Sequence, residues 1–551
     1  MAVENAAPPV AVPGERVASG ARARSAAWAP AATAAVVVLT VAGAVLRVLV
    51  AGQSVFADEL STYWISATHG LGGVLSLLYS TGRIHHAEIT PPLSFLASWL
   101  TTRAGTSPQL LRLPALIAGT ATIPLVYLLG LRTVGRRAAL LAAALTALSP
   151  FMIYYSAEAR AYGLMMFLLC GSTLSLLMAV DTRRRRFWVL YAVCSAAAFY
   201  THYTCAFVLG VQLLWLVWAH PAERRRALTA TAGAAALVIP WIPGLIADLH
   251  SPTVKILSAL SAFTPTAVRL DIQHWALGYP YTVAGGLRDL PGVPALVLLG
   301  AAGILALGGI LASRSGSDGW TGPLGRVTPT AGADPRGRRL VLVAALMLAT
   351  PVGEIVISAV GNHIIGVRDL AASWPFLALT AAALVAAAGL AVGAVAGGMA
   401  VVAFALAAPK MLDTRFARPD YHRAADYVST RAHPGDVVID GTGGISPGPL
   451  TGFDVAFHRR LPVFRALAPA ERDHPFTVFD PIVPIHVAVA RATAAADGGR
   501  VFIVSAKLTT APDQLAPTRL PGGYVRDAER TYDGIEQTVV SVYSRSLGSQ
   551  P

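Results

Sequence analysis

Long apolar runs separated by short polar segments dominate this chain. They fall at 31–51, 110–131, 138–155, 162–180, 187–207, 227–247, 293–312, 340–360, 371–388 and 390–408, with a shorter run at 204–218. A helix crossing the hydrocarbon core of a bilayer needs about 20 mostly apolar residues. The pattern therefore predicts a polytopic α-helical membrane protein of about eleven spans. Weaker apolar patterns lie between the first two runs. Residues 60–79 place Leu60, Tyr63, Trp64, Leu71, Val74, Leu75 and Leu78 at helical spacing, and Leu93–Leu100 follows Pro91-Pro92. Both read as amphipathic helices lying in the membrane interface. Segment 248–292, with Trp275, Tyr279 and Tyr281, has the same character. These segments are candidate walls of a cavity at the outer leaflet.

The pattern changes after Lys410. Strand-like runs appear at Val437–Ile439, Val501–Val504 and Thr538–Tyr543, with helical stretches at Arg423–Arg431 and Val487–Ala496. They predict a C-terminal soluble α/β domain of about 140 residues, large enough to bury its own core. Residues 1–30 are rich in Ala, Pro and Arg and read as a disordered cytoplasmic N-terminus. The expected division is 1–30, a transmembrane domain over 31–408, and an extracytoplasmic domain over 409–551. Run 31–51 is too long for the apolar core of a signal peptide and reads as a retained span. No internal repeat supports an inverted-repeat transporter.

Charge fixes the expected orientation. The net charge is +13. Its basic residues cluster at Arg16/Arg22/Arg24, Arg132/Arg136/Arg137, Arg183–Arg186, Arg224–Arg226 and Arg336/Arg338/Arg339, in every second interspan segment. The positive-inside rule puts these in the cytoplasm and the N-terminus with them, in a plasma-membrane protein. They read as topology signals and contacts to anionic membrane lipids, and nucleic acid is excluded as the partner. Only 13% of residues are charged, against about 25% in soluble proteins. Cys170, Cys194 and Cys205 lie in apolar runs without ligand-like spacing.

The opposite loops hold the candidate chemistry. Asp58 and Glu59 stand together just past the first run, in a chain with 30 acidic residues. They could cap the helix that follows, or one could serve as a general base toward a hydroxyl. Glu158, Arg160 and Tyr162 sit where one run ends and the next begins, and ionisable groups at a membrane edge mark function by default. His202 and Tyr203 end the fifth run. Arg368 heads a later span and Arg112 heads the second; a guanidinium suits an anionic headgroup. Arg47 lies below the acidic pair and is a candidate charge partner for it. His85-His86-Ala87-Glu88 could give part of a metal site, so a divalent metal stays open although no ligand set is clear. Gly441-Thr442-Gly443-Gly444 lacks the following helix of a dinucleotide loop.

Taken together, these segments resemble the GT-C glycosyltransferases, in particular the protein-mannosyltransferase and aminoarabinose-transferase branch. Phe56-Ala57-Asp58-Glu59 is similar to the acidic motif of their first outer loop. Thr90-Pro91-Pro92-Leu93 resembles a His-Pro-Pro-Leu segment, with Thr90 for His. Leu111-Arg112-Leu113-Pro114, Glu158-Ala159-Arg160-Ala161-Tyr162 and Tyr200-Thr201-His202-Tyr203 follow in the same order. Val367-Arg368-Asp369 sits where an Arg-Tyr pair is usual, so Asp369 replaces that Tyr. Pro434-Gly435-Asp436-Val437-Val438 is similar to the opening of the soluble domain in bacterial, notably actinobacterial, members. The resemblance implies a polyprenyl-phosphate-sugar donor, with mannose as the first choice and arabinofuranose next. It also implies an envelope glycan, lipoglycan or protein as acceptor, and an inverting displacement. Asp58 would be the base and Glu59 its neighbour. Arg160, Arg368, Arg112 and His202 would meet the leaving phosphate. Glu158, Tyr162, Glu88, His86 and Tyr203 would line the cavity. The rival expectations are a flippase or transporter of a lipid-linked sugar, and a glycan-binding scaffold.

Overall fold

The computed structural model describes residues 13–79, 88–251, 253, 258, 263–281, 284–315, 335–361, 363–442, 450–467, 483–508 and 516–546. Helix α1 (Pro13–Ala51) is followed by three short helices in the first loop, α2 (Asp58–Thr68), α3 (Leu71–Tyr79) and α4 (Leu93–Thr102). The membrane region continues through α5 (Pro108–Thr133), α6 (Arg136–Leu148), α7 (Pro150–Ser156), α8 (Tyr162–Thr182), α9 (Arg185–Phe199), α10 (Cys205–Ala219), α11 (Arg224–Val238) and α12 (Ile242–Leu249). It ends with α13 (Pro265–Leu277), α14 (Val293–Ser315), α15 (Pro335–Val360), α16 (Trp374–Ala387) and α17 (Leu390–Ala407).

Every apolar run coincides with a helix, but length separates them. Eight helical stretches are long and apolar enough to cross a membrane, or nine if the bent pair α6–α7 is one span. Helices α9 and α10 have 15 residues each. At 1.5 Å per residue that is roughly 22 Å, short of a ~30 Å core. Against about eleven spans expected, eight or nine helical stretches among the described residues reach full spanning length, while the short α9 and α10 run between the same two ends of the bundle, from beside Arg183 to His202 and back to Glu223. Helix α1 also reaches back to Pro13, into the segment expected to be disordered, although its apolar part begins at Pro30. The single amphipathic helix expected over 60–79 is two, α2 and α3, parted at His69-Gly70.

Local chemistry explains the bend in the middle of the bundle. Pro150 cannot donate a backbone hydrogen bond, so α6 stops and α7 restarts at 61°. Ser149 caps the restart by accepting from the Met152 N–H at 3.4 Å. The carbonyls freed at the end of α6 are taken by Arg47, which donates to Thr146 O at 3.0 Å and Ala147 O at 3.1 Å. Arg47 is fully buried there. It is a tie between α1 and α6, which corrects its expected role as partner of the acidic pair. Gly119 lets α5 approach α7; a Cβ at that position would lie 2.1 Å from Ser156 Oγ.

Polar groups collect at the two ends of the bundle. At one end Arg132 and Arg339 share Asp181, while Arg183 and Arg226 share Glu223 at 3.3 and 2.9 Å. Helices α5 and α8 run from there to the other end, where Arg112 and Tyr162 begin the site described below.

The C-terminal region contains α18 (Tyr421–Arg431), β1 (Val437–Gly441), α19 (Gly452–Ala456), β2 (Val463–Leu467), β3 (Val483–Pro484), α20 (Ile485–Ala495), β4 (Val501–Leu508), β5 (Arg519–Leu520), β6 (Tyr524–Tyr532) and β7 (Glu536–Arg545). They form one sheet in the order β3-β2-β1-β4-β7-β6-β5. Strands β3, β2, β1 and β4 pair in parallel; β4, β7, β6 and β5 pair antiparallel. Val438 and Phe502 pack toward α18, and Val437 and Val501 toward α20. Burial on both faces explains why β1 and β4 read as continuous apolar runs. The domain docks on the membrane region through Val455, which packs with Val55, Leu60, Leu111 and Ala159.

Candidate active site

The first loop enters the site through a strained residue. Ala57 has φ 51° and ψ −127°, a conformation that costs a Cβ-bearing residue ~1–3 kcal/mol. That turn starts α2 with Asp58 and Glu59 in its first turn and sends the two carboxylates in different directions.

Glu59 points inward and is fully buried. Its oxygens accept from Arg112 Nε at 2.8 Å, Arg112 Nη2 at 2.6 Å and the Ala159 N–H at 2.7 Å. Arg418 Nε stands 3.3 Å away. Burial alone would raise the Glu59 carboxyl, but Arg112 and Arg418 outweigh it and hold it below the ordinary carboxylate range. Arg112 also donates to the carbonyls of Ala51, Gln53 and Ser54 at 2.6–2.8 Å. Glu59 and Arg112 are therefore a closed strut fastening the first loop to α5. This corrects the expectation that Arg112 is a phosphate ligand: its donors are engaged and it is fully buried.

Asp58 points outward. Its Oδ2 pairs with Arg368 Nη1, and the two side chains are 29% and 37% exposed. Beside them Arg160 holds Glu88 by two bonds, at 2.7 and 3.1 Å, and donates to Thr90 Oγ1 at 3.0 Å. It also reaches the Asp58 carbonyl at 3.4 Å. Glu88 accepts in addition from Ser61 Oγ and the Thr90 N–H. Burial works against the Glu88 charge, yet Arg160 and these donors pull its carboxyl down to about 2. Arg160 thus anchors the far side of the first loop, which leaves Arg368 as the more accessible guanidinium next to Asp58.

His202 lies 3.9 Å from Asp369, with its other ring nitrogen 3.0 Å from Thr204 Oγ1. Its ring centroid is 5.4 Å from that of Tyr162. Burial, then Arg160 and Arg368, push the imidazole down to about 3. His202 is a neutral hydrogen-bonding group here, not the cation expected. Tyr203 turns away: its hydroxyl accepts from Trp241 Nε1 at 3.0 Å and donates to Asp248. The expectation that it lines the same cavity is corrected accordingly. Glu158 is buried, and its Oε2 has no hydrogen-bond partner among the described residues. Burial, with Glu59 and Asp58 close by, raises this carboxyl to about 8.

Tyrosines close the inner wall. Tyr154 packs on Tyr281 and Tyr279 with centroids 5.5 and 5.4 Å apart, and Tyr155 on Tyr162 at 4.8 Å. Phe151 links this wall to Trp374 at 6.3 Å. Trp374, Ala276, Leu277, Leu299, Leu377 and Phe404 help line an apolar cavity of about 350 Å³ among α6, α13, α14, α16 and α17.

Among the described residues no group of three or more His, Cys, Asp or Glu could hold a metal ion. Glu88 is taken by Arg160, and His85 and His86 lie outside the described residues, as do residues 443–449 of the Gly-rich turn.

Two participants escaped the sequence reading. Arg418 sits beyond the last span, yet it is 2% exposed, stacks 4.7 Å over Tyr154 and donates to Ala157 O at 3.2 Å. Nothing in the sequence distinguishes it from Arg415 nearby. Glu354 on α15 is fully buried, with neither carboxyl oxygen partnered among the described residues. A lone Glu inside run 340–360 was a signal for it.

This architecture is the GT-C fold of a multi-pass membrane protein. It is shared with ArnT from Cupriavidus metallidurans bound to undecaprenyl phosphate, at 14% identity and a TM-score of 0.51, over 95% of this chain and 99% of that one. Residues 89–246 match the family described as dolichyl-phosphate-mannose-protein mannosyltransferase. AglB from Archaeoglobus fulgidus, an oligosaccharyltransferase in complex with an inhibitory peptide and a dolichol-phosphate, aligns over 86% of this chain and 69% of its own. Its identity is 14% and its TM-score 0.44. The arabinofuranosyltransferase AftD from Mycobacteria aligns over 94% of this chain and 40% of its own, at 15% identity and a TM-score of 0.43. No curated protein matches the chain.

Proposed function

We propose that the chain is a membrane glycosyltransferase moving a sugar from a polyprenyl-phosphate donor to an acceptor hydroxyl at the cell envelope. The observation that carries this reading is the Asp58–Arg368 pair, a partly exposed carboxylate in contact with a partly exposed guanidinium. The family match over 89–246 and the ArnT-like fold support the same class of donor.

The proposed step is a single displacement. The acceptor oxygen attacks the anomeric carbon, the bond from that carbon to the lipid phosphate breaks, and Asp58 takes the acceptor's proton. Negative charge grows on the departing phosphate, where a preplaced cation is most effective. Arg368 can turn from Asp58 to this phosphate, so the lipid's headgroup itself frees the base. Neutral His202 adds a hydrogen bond and no charge. Arg160, Glu88, Glu59, Arg112 and Arg418 hold the first loop so that Asp58 stays in place. The apolar cavity beside Trp374 suits the first prenyl units. Inversion at the anomeric carbon follows from one displacement. Mannose is the sugar to try first, and the positive-inside reading puts the site and the C-terminal domain outside the plasma membrane.

The test is transfer by the purified chain in lipid nanodiscs, with polyprenyl-phosphate mannose, polyprenyl-phosphate arabinofuranose and a panel of glycan and peptide acceptors. Product from one donor, abolished by Asp58→Asn, is the expected result. Failure with every donor, together with movement of the lipid-linked sugar across vesicles, would replace this reading by a flippase.

A further inference from the structure

The end of the bundle opposite Asp58 holds a groove that the proposed chemistry does not use. Helices α9 and α11, in contact through Ala192, Ala196 and Ala234, flank about 1120 Å³ of open space. Arg183, Arg185, Arg225 and Arg226 stand at its mouth with the single carboxylate of Glu223. Glu223 is already shared by Arg183 and Arg226. Arg185 and Arg225 have no acidic partner among the described residues. The walls below are apolar: Trp188, Val189 and Val193 from α9, and Ala230, Gly233 and Leu237 from α11.

Three further observations define what fits. Val189, Val193 and Leu237 are about half exposed, so the groove opens sideways toward lipid. From Arg225 to Leu237 the groove descends roughly 18 Å at 1.5 Å per residue, close to half of a ~30 Å hydrocarbon core. It is therefore about one leaflet deep. Trp188 is 6% exposed and its indole N–H has no partner among the described residues. It lies one turn below Arg185, where a buried donor calls for an acceptor.

We propose that this groove binds one molecule of an anionic diacyl phospholipid. The phosphate meets Arg185 and Arg225, an ester carbonyl accepts from Trp188 Nε1, and one acyl chain lies along Val193, Gly233 and Leu237. A zwitterionic lipid would bring an ammonium against uncompensated arginines. A soluble phosphate would leave the apolar walls uncovered. Basic pockets between membrane helices select anionic headgroups for the same reason. Occupancy would add a lipid bridge to the contact that α9 and α11 already make through Ala192, Ala196 and Ala234. This site lies at the other end of α8 from Asp58, and its occupancy does not depend on any transfer reaction.

Native mass spectrometry of the detergent-purified full chain tests the proposal, with phosphatidylglycerol and phosphatidylcholine as probes. One phosphatidylglycerol should be retained tightly and phosphatidylcholine should not. The Arg185→Gln/Arg225→Gln variant should bind phosphatidylglycerol about 30-fold more weakly, at roughly 1 kcal/mol per arginine near an anionic headgroup. Gly233→Leu fills the groove without a clash, because a Cβ there meets nothing within 4 Å. It should displace the lipid while the delipidated chain melts as before. Equal retention by all variants overturns the proposal, as does equal binding of phosphatidylcholine. Displacement of phosphatidylglycerol by equimolar undecaprenyl phosphate also overturns it, because the groove would then select a prenyl chain.

Discussion

Glu59→Gln distinguishes a carboxylate that holds the loop from one that reacts. The Glu59 oxygens take two bonds from Arg112, one from the Ala159 N–H, and the charge of Arg418 at 3.3 Å. A glutamine keeps one oxygen and turns an NH2 group against donors. It also leaves two buried guanidiniums without a counter-charge. Breaking one buried pair costs ~3–5 kcal/mol, and here one carboxylate serves two arginines. A loss of about 4 kcal/mol or more is expected, read as a lowered thermal midpoint and unfolding free energy in nanodiscs. Asp58→Asn removes one partly exposed pair and should cost at most ~1 kcal/mol. Its transfer rate should nonetheless fall by ~10²–10⁴, the usual contribution of a general base. If Glu59→Gln melts like the wild type and loses transfer as Asp58→Asn does, the assignment of Glu59 as a strut is refuted.

Other substitutions probe the same construction. Arg368→Gln should leave stability within ~1 kcal/mol. It should weaken undecaprenyl phosphate binding about 10- to 100-fold by fluorescence titration, the loss of one charged hydrogen bond. Equal affinity would remove Arg368 from the phosphate. His202 is neutral down to about pH 3 in the fold, against ~6.5 in the unfolded chain. The unfolded chain takes the proton first, so this contribution is full above pH 6.5. It is lost as pH falls toward 3, at ~1.4 kcal/mol per pH unit; His202→Gln should flatten that limb of the denaturation profile. Glu158 acts in the other direction. Its carboxyl is raised to about 8 and keeps a proton the unfolded chain releases near 4.5, so stability declines as pH rises between those values. Glu158→Gln should remove that decline. Gly119→Ala drives a methyl group into Ser156 and should destabilise by ~1–3 kcal/mol, with a displaced 157–160 turn visible as lost transfer.

Apolar periodicity made every membrane helix legible, because lipid demands long runs whatever the tertiary packing. It could not separate a full span from the 15-residue helices α9 and α10, whose shortness depends on where the turns fall. In the C-terminal domain the buried strands β1, β4 and β7 were legible. Strand β6 was not, since its Arg526–Arg530 stretch is charged and largely exposed. Their place beside the spans marks the acidic pair, Arg160 and Arg368 as candidates, and the structure brings them together. Their division of labour was hidden, because sequence adjacency does not say which of two neighbouring carboxylates faces inward. The Ala57 turn decides that, and a positive φ at an alanine leaves no mark in the sequence.

Arg418 gives the C-terminal domain a second meaning. It enters the site from the chain leading into that domain, and its own backbone N–H is held by Gln53 Oε1 at 3.1 Å. The domain is therefore not a passenger on a flexible leash. Any tilt of it against the membrane helices pulls through Arg418 on Glu59, the neighbour of the proposed base. For the same reason, a chain cut before Arg418 would lose a wall of the proposed site as well as its C-terminal domain.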